Sequence, residues 1–187
     1  MIPLLTFEEH IKETIKKSNN MSHLIMRSIT YKTKEIMIPL LKSLIRPILE
    51  YANAVWSPSQ RKDINALEQI QKRFTKCIIG MREMSYEERL KSLKIPSLEY
   101  RRIRGDLIET FKITHKFYDS RVTGGLFTLS KNNSTRSNGY KLEKTSFNSN
   151  QYKHFFTNRV INLWNSLPSY IVCSSTINEF KNKIRLG

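Results

Sequence analysis

The chain has 187 residues of which 39% are hydrophobic, enough for a core in one domain, or in a helical domain with an appendage. Its 32 Lys and Arg against 16 Asp and Glu give a formal charge of +16, so the expected partner is a polyanion, with nucleic acid the commonest of these. The two cysteines, Cys77 and Cys173, exclude a four-ligand zinc site and a disulfide framework, and no apolar run approaches the roughly 18 residues that span a bilayer. Met1 to Leu5 is too short for a secretory leader, so an intracellular protein, nuclear or cytoplasmic and without a membrane partner, is expected.

Thr6 and Glu9 have capping-box spacing, and Phe7, Ile11 and Ile15, then Met21, Ile25 and Ile29, recur every four residues. They predict a first helix from Thr6 to about Ile29, with weak points at Asn19 and Asn20. Ile36, Leu40, Leu44 and Ile48, followed by Tyr51 or Ala52 and Val55, keep helical spacing. Pro39 and Pro47 should kink or divide that segment, and Trp56, Ser57 and Pro58 end it. From about Ser59 to Ile79, the positions Ile64, Leu67, Gln71, Phe74 and Ile78 predict an amphipathic helix closed by a left-handed Gly80. A short helix starts at Ser85, which pairs with Glu88 as a second capping box, buries Leu90 and Leu93, and stops at Pro96.

Ser97 caps a long helix with Tyr100, Ile103, Leu107, Phe111, Thr114 and Tyr118 on its inner face; Gly105 within it costs about 1 kcal/mol relative to Ala. Between Ser120 and Gln151 the chain turns to Ser, Asn, Thr and Gly, a loop with Tyr140, Leu142 and Phe147 as strand candidates. Tyr152, Phe156, Val160, Leu163 and Leu167 predict a helix that Pro168 ends, and Thr176 with Glu179 caps a last helix carrying Ile177, Phe180 and Ile184. The expected fold is mainly α, an irregular multi-helix bundle with a Ser/Asn-rich loop and at most a short strand or hairpin near 137–147. It divides into helical segments 1–58 and 59–118, a flexible loop at 119–151 and a helical segment 152–187. Trp56 and Trp164, each on an apolar helix edge, are expected in the core.

Two-metal phosphoryl transfer needs carboxylates converging on ions roughly 3.5–4 Å apart. Asp63, Asp106 and Asp119 are each isolated, while Glu8, Glu9, Glu87 and Glu88 sit at helix starts, where dipole compensation accounts for them. His10, His23, His115 and His154 form no ligand pair, and Gly124–Gly125 lacks the Gly-Lys-Ser/Thr of a phosphate loop. No catalytic residue, metal ligand or cofactor is therefore expected, and a small basic hydrolase is the minor alternative.

The block Leu41 to Ala52, with Arg46, Pro47, Glu50 and Tyr51, followed by Val55-Trp56-Ser57-Pro58, resembles a segment downstream of the palm in non-LTR retrotransposon reverse transcriptases of the jockey and chicken-repeat type. Leu67 to Lys76, Tyr86 to Leu93, Leu98 to Leu107 and Phe155 to Pro168 resemble successive later parts of the same region, in the family's order. The resemblance implies a thumb-like start over 1–58 and a post-polymerase extension. The palm aspartates of an RNA-directed DNA polymerase would lie upstream, so this chain by itself would be no enzyme. It further implies RNA, DNA or an RNA–DNA hybrid as partner, and the palm of a full-length polymerase as a second one.

Candidate contacts to such a partner are Lys12, Lys16 and Lys17 on the first helix, and a stripe of Lys62, Gln69, Lys72, Arg73 and Lys76 turned away from Ile64 and Phe74. Arg101, Arg102 and Arg104 form a tighter cluster suited to bidentate phosphate contacts, with Glu99 and Asp106 as competing ion-pair partners. The alternatives are solvated helix faces, a protein–protein interaction module, or a retroelement remnant without function.

Overall fold

The computed structural model describes residues 7–130, 139–144 and 154–184, which are mainly helical. The chain forms two compact units, one from Met1–Asn53 and Pro58–Arg102, the other from Ala54–Ser57 and Ile103–Gly187. The division between the units falls inside a long helix, between Arg102 and Ile103.

The first unit holds α1 (Glu8–Ser28), α2 (Lys34–Leu40), a π-helical turn (Leu41–Ile45), α3 (Arg46–Glu50), α4 (Arg61–Lys76), α5 (Tyr86–Leu93) and the start of α6 (Leu98–Thr114). α1 and α4 pack side by side and run in the same direction. Lys62 reaches Glu8 at their starts (3.5 Å), and the Ile79 amide donates to the Lys32 carbonyl beyond their ends (3.0 Å). α1 buries Ile11, Thr14, Ser18, Ser22 and Ile25, so the expected row through Ile15, Met21 and Ile29 is only half-buried. Thr14, Ser18 and Ser22 make up the middle of this buried face, and their small side chains let neighbouring elements approach more closely than bulky ones would. Thr6 lies outside the described residues, and no side chain caps α1.

The α2–α3 segment corrects the expected register. Met37, Leu41, Ile45 and Leu49 are fully buried, whereas Ile36 and Leu44, expected inside, are 41% and 39% exposed. Tyr51 and Val55 are exposed as well, because the helix ends at Glu50. A strict four-residue row drifts by about 40° per step around an α-helix. The π turn, in which the Arg46 amide donates to the Leu41 carbonyl five residues back, winds less per residue and keeps this row facing inward. Pro39 lies within α2, and Pro47, which has no N–H and crowds the carbonyl of Ser43, follows the wide turn.

α4 buries Leu67, Gln71 and Phe74 as expected, with Ile78 buried just past its end, while Ile64 is half-buried and Ile70, outside the expected row, is buried; Gly80 adopts φ +80° behind it. α5 starts on the expected Ser85/Glu88 capping box and ends at Lys94 in the left-handed region (φ 51°), two residues before Pro96. Beneath these elements lies a polar chain. Arg46 donates through Nε and Nη2 to Gln71 Oε1 (3.2 and 3.1 Å) and through Nη2 to the Pro96 carbonyl (3.2 Å). Gln71 Nε2 donates to the Pro96 carbonyl (3.1 Å) and to the Tyr86 hydroxyl (2.9 Å), which donates in turn to Glu68. The Glu68 carboxylate accepts the amides of Leu98 (3.0 Å) and Glu99 (3.2 Å) and so caps α6 from another helix, beside Ser97, whose Oγ accepts the Tyr100 amide (3.1 Å). Burial pushes the Tyr86 hydroxyl well above the ordinary tyrosine value, and its bond to Glu68 adds to this; burial also lowers Arg46.

In the second unit α6 buries Leu107, Ile108 and Phe111, with α7 (Ser120–Thr123), α8 (Phe156–Arg159), α9 (Ile161–Ser166), α10 (Ser169–Val172) and α11 (Ile177–Lys183) following. α6 ends at Thr114, four residues short of the expected Tyr118, with Lys116 at φ 59° and the Phe117 amide returning to the Lys112 carbonyl (2.9 Å). Tyr100 and Ile103, expected on its inner face, are exposed. The single helix expected over 152–167 is instead α8 and α9, which bury Val160, Ile161 and Trp164 and leave Leu163 exposed. Pro168 precedes a further short helix, α10. Thr176 caps α11 by accepting the Glu179 amide, as expected.

The region expected as loop contributes to this core. Leu129 and Leu142 form an isolated antiparallel bridge, and Asn165 clasps the backbone of buried Leu142 by two 2.9 Å bonds. Phe147 lies outside the described residues. Phe180, Phe111, His115 and Tyr140 stack as a column with successive centroids 4.3, 3.9 and 4.2 Å apart, and Trp164 Nε1 donates to the Tyr140 carbonyl (2.9 Å). Trp56 and Trp164 are both buried, as expected.

Two outcomes follow. Leu41→Ala should cost roughly 2–5 kcal/mol in chemical denaturation and Leu44→Ala less than about 1 kcal/mol; equal costs would contradict the register. Burial holds His115 below its ordinary value of 6.5, against the opposing pull of the Phe111 and Val172 carbonyls. The unfolded chain therefore binds that proton more readily than the folded one. The stability from neutral His115 is present above pH 6.5 and lost as pH falls below it, and thermal melts across that range should show the loss in the wild type and not in His115→Phe.

Candidate nucleic-acid interface

On α1, the face opposite Ile11, Ser18 and Ser22 carries Lys12, Lys16, Asn20, His23 and Arg27, all exposed and spaced three or four apart. On α4 the corresponding file is Lys62, Asn65, Gln69, Arg73 and Lys76, also exposed. Lys12 to Arg27 extends about 22 Å and Lys62 to Lys76 about 21 Å at 1.5 Å per residue, comparable to six base-pair steps of 3.4 Å; the α4 file holds no carboxylate, while on α1 exposed Glu9 stands on the same face three residues before Lys12. Each also presents three permanent cations.

Several of these cations have local partners. Lys12 lies 3.8 Å from Glu9, Lys17 is 3.4 Å from Glu13, and Lys62 is 3.5 Å from Glu8, all on highly exposed side chains where such pairs contribute little and exchange readily. Lys72 sits 5.2 Å over the Tyr86 ring, at the edge of the α4 file. Lys16, Arg73 and Lys76 make no ion pair with a described residue. Arg27 prolongs the α1 file beyond the residues expected from sequence; continuing the spacing of polar residues from Lys12 and Lys16 would have reached it.

The arginine cluster has a different setting. Arg101 makes a two-pronged ion pair with Glu50, which raises its pKa, mainly through that hydrogen bond. Arg102 is buried, and Arg104 donates to the Lys181 carbonyl (2.9 Å). The three therefore do not share an open face. Of the acids considered as competitors, Glu99 binds Arg61 (2.9 Å) and Asp106 takes a two-pronged bond from Arg159 (2.8 and 2.9 Å).

Among the described residues no group of three His, Cys, Asp or Glu could hold a metal ion, and no helix is long and apolar enough to cross a membrane. Lys112, Glu109 and Tyr118 are linked by bonds of 2.6–3.2 Å, and the Glu109 carboxylate raises both Lys112 and Tyr118, so neither is poised to lose a proton at neutral pH. No family model, curated protein or solved structure matches the chain.

Because Arg101 is tied to Glu50, Arg101→Ala should lower folding stability by roughly 1–3 kcal/mol. Denaturant titration checks this; an unshifted midpoint would mean that the ion pair contributes nothing.

Proposed function

We propose that the chain is the thumb-like and post-polymerase part of a non-LTR retrotransposon reverse transcriptase, holding RNA, DNA or their hybrid by a basic helical surface. The observation that carries the binding half is the pair of exposed basic files on α1 and α4, with Lys12, Lys16 and Arg27 on one and Lys62, Arg73 and Lys76 on the other. Lys and Arg repeated along a helix at this spacing suit successive phosphates and carry no base specificity. The ordered blocks from Leu41 to Pro168 support the ancestry half. Polymerisation would belong to a palm lying upstream of the matched region.

The full chain should bind a 20-base-pair hybrid duplex at about 50 mM salt and lose affinity steeply by about 200 mM. A Lys62→Ala, Arg73→Ala, Lys76→Ala triple variant should reduce the logarithmic salt slope by roughly two to three, with its melting temperature unchanged. Absence of binding at low salt, or binding indifferent to salt, would overturn the proposal.

A further inference from the structure

Beyond the two files, the carboxy-terminal ends of α1 and α4 carry a feature of another kind. The connections that follow these helices are joined by the Ile79 amide donating to the Lys32 carbonyl (3.0 Å). Lys32 Nζ donates to the Ile29 carbonyl (2.8 Å), the Thr33 amide to the Tyr31 carbonyl (3.0 Å) and the Met81 amide to the Ile78 carbonyl (3.0 Å). The backbone is thus pinned on both sides, yet the Tyr31 side chain is 75% exposed and Ile79 60% exposed. Neither contributes to the core, so both are open to a ligand without any change in the fold.

Cations surround them in the chain. Arg27 lies one helical turn before Tyr31, Lys76 precedes Ile79 by three residues, and Arg82 follows it by three. Glu83 beside Arg82 is an exposed acid at 4.0 Å, too loosely held to neutralise it.

An aromatic ring standing free on a fixed backbone, flanked by cations, suits the two chemistries of a single strand: a π face for a base and positive charge for the phosphates on either side. A paired base offers no open face to such a ring, so the strand must be unpaired there. We propose that this end of the first unit stacks an unpaired nucleobase of single-stranded RNA or DNA on Tyr31, with Arg27, Lys76 and Arg82 on the adjoining phosphates. This rests on the phosphate-binding reading above and adds a preference for strand over duplex.

The test uses the full chain and labelled 12-mers of single-stranded RNA and DNA, an abasic strand of equal length, a duplex, and an oligoglutamate peptide as competitor. The wild type should bind at least one base-bearing strand about 5- to 100-fold more tightly than the abasic strand. Tyr31→Ala should abolish that preference and Tyr31→Trp retain it, with duplex affinity and salt slope unchanged in both, since an exposed side chain is not needed for folding. A Tyr31→Ala variant that keeps the preference, a wild type that shows none, or displacement by oligoglutamate as effective as by the strand overturns the proposal. If duplex and abasic strand bind with normal salt dependence, only the stacking site has failed; if no nucleic acid binds, the phosphate-binding reading falls with it.

Discussion

The first unit depends on one buried carboxylate. Glu68, in the middle of α4, meets the free amides at the start of α6 and is oriented by Tyr86 from α5, whose hydroxyl also accepts from Gln71 of α4, itself held by Arg46 from α3. A positive group thus stands at one end of the chain and a helix N-terminus at the other, and the hydroxyl and amide between them transmit polarisation in a medium of low dielectric. Such a network is demanding, since each member left unpaired by loss of its neighbour incurs a desolvation penalty of roughly 1–3 kcal/mol, more for the charged ones. It also gives the connection 94–97 a defined path, because the Pro96 carbonyl is the shared acceptor of Arg46 and Gln71.

Where one residue pattern dominates, the fold was legible in the sequence. The Ser85/Glu88 and Thr176/Glu179 caps, the apolar row of α4 and the left-handed Gly80 are local features, and local features survive folding. In the α2–α3 segment two adjacent rows, 36/40/44/48 and 37/41/45/49, are both apolar, and periodicity has no means of choosing between them once a π turn changes the pitch. The α1 contact was hidden for the opposite reason, as Thr14, Ser18 and Ser22 read as polar although their small size is what close packing requires. The Glu68 network was invisible because it consists of residues that ordinarily face water. Of the candidate interface, the α4 stripe follows directly from spacing, whereas the engagement of Arg101 by Glu50 joins residues 51 apart in the chain.

The positive charge divides by side-chain type. Among the described residues every buried cation is an arginine, namely Arg46, Arg89 and Arg102, and Arg101 and Arg159 are half-buried in two-pronged carboxylate pairs, while no lysine is buried. The guanidinium is more weakly hydrated, and its planar fork of donors can satisfy several acceptors at once, so it enters the interior where an ammonium does not. A sequence rich in both therefore overstates the charge offered to solvent by an arginine cluster more than by a lysine row. The excess is shared by both units: the first has 19 basic and 11 acidic residues, the second 13 and 5.

The π turn at Leu41–Ile45 has an evolutionary corollary. Because it holds one residue more than a regular helical turn, a one-residue deletion inside it would restore a continuous α-helix and leave α3 in nearly its present orientation, whereas a one-residue change elsewhere between Met37 and Glu50 that kept the wide turn would rotate α3 by about 100° against what precedes it. Arg46 would leave Gln71 and Glu50 would leave Arg101 together. Related chains can therefore lose one residue within Leu41–Ile45 and keep both contacts, whereas a change of length elsewhere between Met37 and Glu50 breaks the two together.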